Sequence, residues 1–178
     1  MRLSQILAGP VAALALLTMA MPAFAADNDD TFTDNEMTRA TSDFFGITTE
    51  AAAKVVQRAF KDQGQPDAYI KGDEGGGAVV VGLRYGAGWL IRKQQEPIKV
   101  YWKGPAGGGD LCCNAAKFLA LVYNLKRENR LYQRFPSVEG SHYFIAGIDV
   151  NYTRSGGVTV APLRTGLGLR AGVNAGYL

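Results

Sequence analysis

The sequence predicts a mainly β fold of the α+β type: a small antiparallel β-barrel or strongly coiled sheet of about eight strands. One N-terminal amphipathic helix and one short helix complete it. Three observations carry this expectation. Short segments alternate with a period of two, most clearly between Gly75 and Trp102. Turn signals separate these segments at hairpin spacing. The 22 glycines suit a tight barrel, where strands bend and backbones approach closely.

The N-terminal stretch stands apart from that fold. Met1-Arg2 gives a minimal positive start, Ile6–Met21 is apolar, and Pro22 precedes Ala23-Phe24-Ala25. This is the layout of a signal peptide over residues 1–25, cleaved before Ala26 by the general secretory route. An uncleaved membrane anchor is the rival reading, since the run is only marginally long enough to span a bilayer. With no cysteine at the cleavage point, lipid attachment to a mature N-terminal cysteine is excluded. About 153 residues remain, enough for one domain with its own core. Removing Arg2 lowers the net charge from +3 to about +2, too little to argue for nucleic acid. Two cysteines in an oxidising compartment leave the fold to its hydrophobic core rather than to disulfides.

Residues 26–43 read as a flexible acidic lead-in, with Asp27, Asp29, Asp30, Asp34 and Glu36 ahead of Arg39. The single domain is expected over 44–178. Thr48 then caps a helix in which Ala52, Val55, Val56, Ala59 and Phe60 form an apolar stripe, with Glu50 and Lys54 paired on the wet side. Gly64 ends it and Pro66 prevents its resumption. The stripe would cover an open side of the sheet.

Ala68–Lys71 reads as a short strand and Gly72–Gly77 as its turn. On the next strand Val79, Val81, Leu83 and Tyr85 share an apolar face that the rest of the chain should cover. Ile98, Val100 and Trp102 then oppose Lys99, Tyr101 and Lys103. Gly104–Asp110 reads as a wide loop. Lys117–Tyr123 is apolar on both faces, as a strand between two packed layers should be. Leu125–Phe135 reads as the short helix, His142–Tyr152 as a strand, and Ser155-Gly156-Gly157 as a tight turn into Val158–Arg164. Gly166–Leu178 alternates as the last strand, so the letters Gly166-Leu-Gly168-Leu-Arg-Ala171 are not a dinucleotide fingerprint, which needs a following helix.

Few residues invite chemistry. Cys112-Cys113 would pair only as a strained vicinal disulfide, or stay free. A thiol nucleophile would look to His142, the sole histidine; an ordinary polar strand position is the simpler account of that residue. One histidine with two adjacent cysteines is also poor spacing for a metal, and no cofactor is implied. Arg127, Arg130 and Arg134 would line one side of the short helix and could meet phosphates of an envelope lipid or polymer, or simply face solvent. Trp89 and Trp102 are the aromatic faces best able to stack on a sugar or acyl chain, unless they are core.

The strings AAAKVVQRAFKDQGQPDAYIKGDEGGGAVVVGLRYGAGWL, VYWKGP, LVYNL, LYQRFPSVEGS and APLRTGLGLRAGVNAGYL resemble the alphaproteobacterial periplasmic envelope integrity protein A family, a domain-of-unknown-function family. The resemblance runs from about Phe44 to the end. It implies a small β-barrel-like periplasmic protein that helps maintain the envelope, with no assigned reaction. The family pattern after Asp110 is Phe-Gly-Gly-Asn, where this chain has Leu111-Cys112-Cys113-Asn114, so the cysteines stand in for small residues. Lys126–Asn129 departs from the usual acidic connection, so the basic stripe is not implied by the family. The sheet layout is more loosely similar to the lipid-binding SYLF domain. The expectation is a non-enzymatic periplasmic protein that supports envelope integrity, binding an envelope lipid or polysaccharide rather than nucleic acid. A Cys/His-dependent hydrolase and a small outer-membrane barrel are the alternatives.

Overall fold

The computed structural model describes residues 30–77, 81–107, 116–165 and 175–177. The expected signal peptide over residues 1–25, Cys112, Cys113 and the Gly166–Ala171 string lie outside these residues. Two helices, α1 (Asp34–Phe45) and α2 (Thr49–Gln63), come first. Seven strands follow: β1 (Ala68–Gly77), β2 (Val81–Arg92), β3 (Ile98–Gly107), β4 (Ala116–Tyr123), β5 (Arg134–Ile145), β6 (Ile148–Ser155) and β7 (Val158–Thr165). They form one antiparallel sheet in the order β3-β2-β1-β4-β7-β6-β5. A three-residue strand, β8 (Ala175–Tyr177), bridges its two ends: Tyr177 is opposite Lys103 of β3 and Arg134 of β5. Through this short bridge the coiled sheet closes as a barrel.

The local chemistry of α2 is as the sequence predicts. The Thr48 hydroxyl accepts from the Ala51 N–H at 3.2 Å, Lys54 and Glu50 pair at 2.8 Å, and Gly64 ends the helix with φ 83°. The acidic lead-in is corrected: most of it is α1. Thr33 and Glu36 form a capping box, Thr33 N–H donating to Glu36 Oε2 at 2.7 Å, which satisfies backbone donors at the helix start. Gly46 closes α1 at φ 69°. Met37 and Phe45 give it a buried side, which a count of acidic residues does not reveal.

Strand β4 holds the molecule together. Leu119, Leu121 and Tyr123 point outward and pack under Met37, Phe45, Val55, Val56 and Ala59 of the helices, beside Ile148, Val150 and Tyr152 of β6 and Ala161 and Leu163 of β7. Phe118, Ala120 and Val122 point inward, against Ile70, Leu90, Val100, Trp102, Leu131, Phe135 and Val160. Each large aliphatic so buried is worth about 2 kcal/mol. The helix stripe therefore covers the outer wall of β4, β6 and β7. The roof extends to Tyr69 and Ile91, which are partly buried against it. It is pinned by Lys117 Nζ to the Phe44 carbonyl at 2.6 Å and by Tyr152 Oη to Asp62 at 3.1 Å.

Other expectations are corrected. Gly72–Gly77 is part of β1, and Gly86 and Gly88 lie within one continuous β2. Gly72, Gly86 and Gly88 mark close approach instead of turns: a Cβ on Gly72 would lie 2.2 Å from the Ala87 carbonyl oxygen, and one on Gly86 2.0 Å from the Trp102 ring. With Trp102 filling the interior beside Gly86, the opposite face of β2 must point out, so Leu83 and Tyr85 are exposed. Gly104–Gly107 continues β3. His142–Tyr152 is a hairpin, turned at Ala146 and Gly147 with φ 52° and 83°, a pair of positive φ values that suits a two-residue loop. The expected helix over Leu125–Phe135 is one 3-10 turn, Glu128–Leu131, before β5 begins at Arg134.

Gly72→Ala is expected to destabilise the protein by about 2 kcal/mol, because backbone must move to admit the methyl. Gly75→Ala, with open space around the added Cβ, should leave the thermal midpoint nearly unchanged. Equal midpoints for the two variants would contradict the close-approach account.

Candidate functional site

Two places combine aromatic and charged side chains, one inside the barrel and one on its outer wall. Inside, Glu74 of β1 is buried and meets side chains from three other strands. Trp102 Nε1 donates to Glu74 Oε2 at 2.9 Å. Arg84 Nη1 donates to Oε1 at 3.3 Å, and Arg164 donates through Nε to Oε1 at 3.2 Å and through Nη2 to Oε2 at 3.4 Å. Phe118 of β4 packs against Trp102 with ring centroids 4.3 Å apart, and the Arg164 guanidinium stands 5.1 Å over the Phe118 ring. Burial opposes the charge on Glu74, but Arg164 and then Arg84 outweigh it, with the indole N–H adding to them. The carboxyl therefore titrates below its ordinary value. A carboxylate so saturated stays ionised at neutral pH and is poorly suited to trade protons with a substrate.

Outside, the helical roof stops at the Tyr69–Ile91 pair. One row further, no helix among the described residues covers the wall. Lys71, Trp89 and Lys99 lie side by side across β1, β2 and β3; next come Asp73, Ala87 and Tyr101; then Gly75, Tyr85 and Lys103. Trp89 is 46 % exposed, Tyr85 55 % and Tyr101 62 %. Lys99 Nζ sits 5.9 Å from the Trp89 ring and 5.6 Å from the Tyr101 ring, close enough for cation–π attraction. Leu83, also exposed, continues the patch along β2.

The sequence-predicted site residues fall in different places. Trp89 is on the bare wall. Trp102 is in the interior, committed to Glu74. Arg127, Arg130 and Arg134 do not form a helical stripe, because only a single turn forms there. Arg127 precedes that turn, Arg134 begins β5, and Arg130 donates from Nη2 to the Gly156 carbonyl at 2.8 Å, latching the turn onto the β6–β7 hairpin. His142 Nε2 lies 2.5 Å from Asp149 Oδ1 across the β5–β6 hairpin. Among the described residues, no group of three His, Cys, Asp or Glu is placed to hold a metal ion.

Sequence reasoning missed Glu74, Arg84 and Arg164, and the lysine and tyrosine neighbours of Trp89. A signal for the first existed: two adjacent acids, Asp73 and Glu74, inside a glycine run, of which alternation must turn one inward, beside a strand that carries an arginine. The second was visible as Lys99-Val-Tyr101-Trp-Lys103, whose outward face is basic and aromatic.

Comparison with known proteins bears on this geometry. The model of the family described as envelope integrity protein A matches residues 30–178. The chain belongs to the envelope integrity protein A family. Its fold is also that of a solved structure, described as a beta-barrel-like, uncharacterized protein from Brucella abortus. That protein is 37% identical, with a TM-score of 0.76 over 83% of this chain and 93% of the other. No protein with a curated description matches. The resemblance seen in the sequence, and the barrel-like α+β fold, thus hold for this family member.

Glu74→Gln leaves Arg84 and Arg164 without their shared counter-charge and should cost about 3 kcal/mol at neutral pH. Because the carboxyl is depressed, its stabilisation is complete above the ordinary carboxylate value of 4.5 and is lost as pH falls through the lower folded value. Chemical denaturation from about pH 6 down to about pH 3 should show the natural protein losing more stability than Glu74→Gln. Parallel pH profiles would refute the role of this carboxylate.

Proposed function

We propose that this protein is a periplasmic, non-enzymatic support of the cell envelope, and that it binds an envelope lipid or polysaccharide on its outer wall at Tyr85, Trp89 and Tyr101. The observation that carries the reading is the division of the outer wall. Helices cover the part over β4, β6 and β7, whereas β1–β3 present three large aromatics and three lysines to solvent. An aromatic patch of this kind, rimmed by charge, marks an interaction surface. Membership of an envelope integrity family supports an envelope partner. The apolar N-terminal run ending in Ala23-Phe24-Ala25 supports export to the periplasm by the general route.

The barrel interior favours this outer site over one within. Its apolar side chains pack against one another, and Glu74 engages both Arg84 and Arg164. That interior also speaks against an integral outer-membrane barrel, which is polar inside and wears an apolar band outside. Here the apolar lining is inside, and Lys71, Lys99 and Lys103 are exposed on the outer wall. No helix among the described residues is long and apolar enough to cross a membrane.

In a strain lacking this protein, the natural chain should restore resistance to detergent or cell-wall stress. The double variant Trp89→Ala/Tyr101→Ala should restore it at least tenfold less well at equal protein level, since both side chains are exposed and the fold does not need them. Full restoration by the double variant would overturn the proposal.

A further inference from the structure

The bare wall of β1–β3 has a shape and chemistry that select among envelope components. The side chains concerned stand on the outside of a closed barrel, so the surface they form is convex. A polysaccharide chain or a small ligand is held best in a groove or cleft that surrounds it. A convex wall instead meets a broad surface at its crown. The residues at that crown are tyrosine, tryptophan and leucine, whose amphipathic or apolar side chains sit at the headgroup level of a bilayer. Between them stand Lys71, Lys99 and Lys103, with Lys71 and Lys99 flanking Trp89 in one cross-strand row and Lys103 beside Tyr85. Lysine stems lie along apolar surface while the ammonium reaches anionic headgroups. Asp73 is the one acid in these rows, against three lysines, so the patch is net positive.

We infer that the β1–β3 wall docks this protein on the surface of an anionic phospholipid bilayer, Tyr85, Trp89 and Tyr101 entering the headgroup region and Lys71, Lys99 and Lys103 pairing with phosphates. This inference rests on the proposed binding role of the outer wall and names its partner. The docking is peripheral. Rows along a strand are about 7 Å apart and neighbouring strands about 4.8 Å apart, so the three rows offer a footprint on the order of 10 Å each way. That is enough for reversible adsorption and too small for insertion. Binding of this kind draws on surface potential and weakens steeply with salt.

The test uses the form recovered from the periplasm of an expressing host, with its N-terminus fixed by mass spectrometry so that the leader plays no part. Sedimentation with vesicles of phosphatidylglycerol and cardiolipin should pull the protein down, and phosphatidylcholine vesicles should do so at least tenfold less. Trp89 emission should shift to the blue on binding and be quenched by brominated lipid. Trp89→Phe, which leaves only the buried Trp102 to emit, should lose both signals. Lys99→Glu/Lys103→Glu should weaken vesicle binding at least tenfold with an unchanged melting temperature. Absence of binding to anionic vesicles, or binding that neither salt nor the lysine variant weakens, would overturn the inference. Retention by a soluble anionic polysaccharide through Trp89, without vesicle binding, would overturn it too while sparing the outer-wall reading. Binding to neither would remove both.

Discussion

One carboxylate ties four strands of this barrel together. Glu74 comes from β1, Arg84 from β2, Trp102 from β3 and Arg164 from β7, and Phe118 of β4 packs against both the indole and the Arg164 guanidinium. A charge taken out of water is costly unless partners replace its hydration. Here two guanidinium groups and an indole N–H do so. The arrangement fixes which face of each strand looks inward. Gly86 has to be a glycine because the Trp102 ring lies against it, and Arg84, two residues earlier on the same face, is drawn in with it. Once Trp102 and Arg84 are inside, the alternate residues of β2 and β3 have no choice but to face out. The aromatic and lysine wall is thus a direct consequence of the interior ion cluster.

The second constraint is β4, which has a buried face on either side. It can do so only because two different layers meet it: the barrel lining on one face and the α1–α2 roof on the other. The roof is narrow. Its apolar stripe rests on β4, β6 and β7 and reaches only as far as Tyr69 and Ile91. The remaining wall carries lysines and amphipathic aromatics that tolerate water and favour an interface. Structure and proposed function meet at this boundary, one residue pair beyond the edge of the helices.

Much of this was legible in the sequence and some was not, for physical reasons. Thr48, Gly64 and the Ala52–Phe60 stripe specify α2 through local chemistry alone. Lys117–Tyr123 announces a doubly buried strand because no half-exposed strand is apolar on both faces. Alternation in β2, by contrast, shows that two faces exist without saying which is inside; that is decided by Trp102, sixteen positions from Gly86. Glycine suggests a turn at Gly72–Gly77 and a wide loop at Gly104–Asp110, although without a Cβ it serves equally where two strands crowd. Helix α1 was hidden behind its acids, even though Thr33 and Glu36 have the spacing of a capping box. The arginines at 127, 130 and 134 have helical spacing, yet one 3-10 turn and a strand start divide them. Trp89 was found by residue type alone. Its neighbours Tyr101 and Lys99 become a site only through the β2–β3 register.

In the proposed division of labour, the interior serves the fold and the bare outer wall serves the envelope. Photo-crosslinking in living cells addresses this most directly, with a photoreactive side chain placed singly at Trp89, Tyr101, Tyr132 or Phe144, all of them exposed. Adducts to an envelope component are expected at positions 89 and 101 and none at 132 and 144. Adducts confined to 132 and 144, or equal at all four positions, would contradict this division.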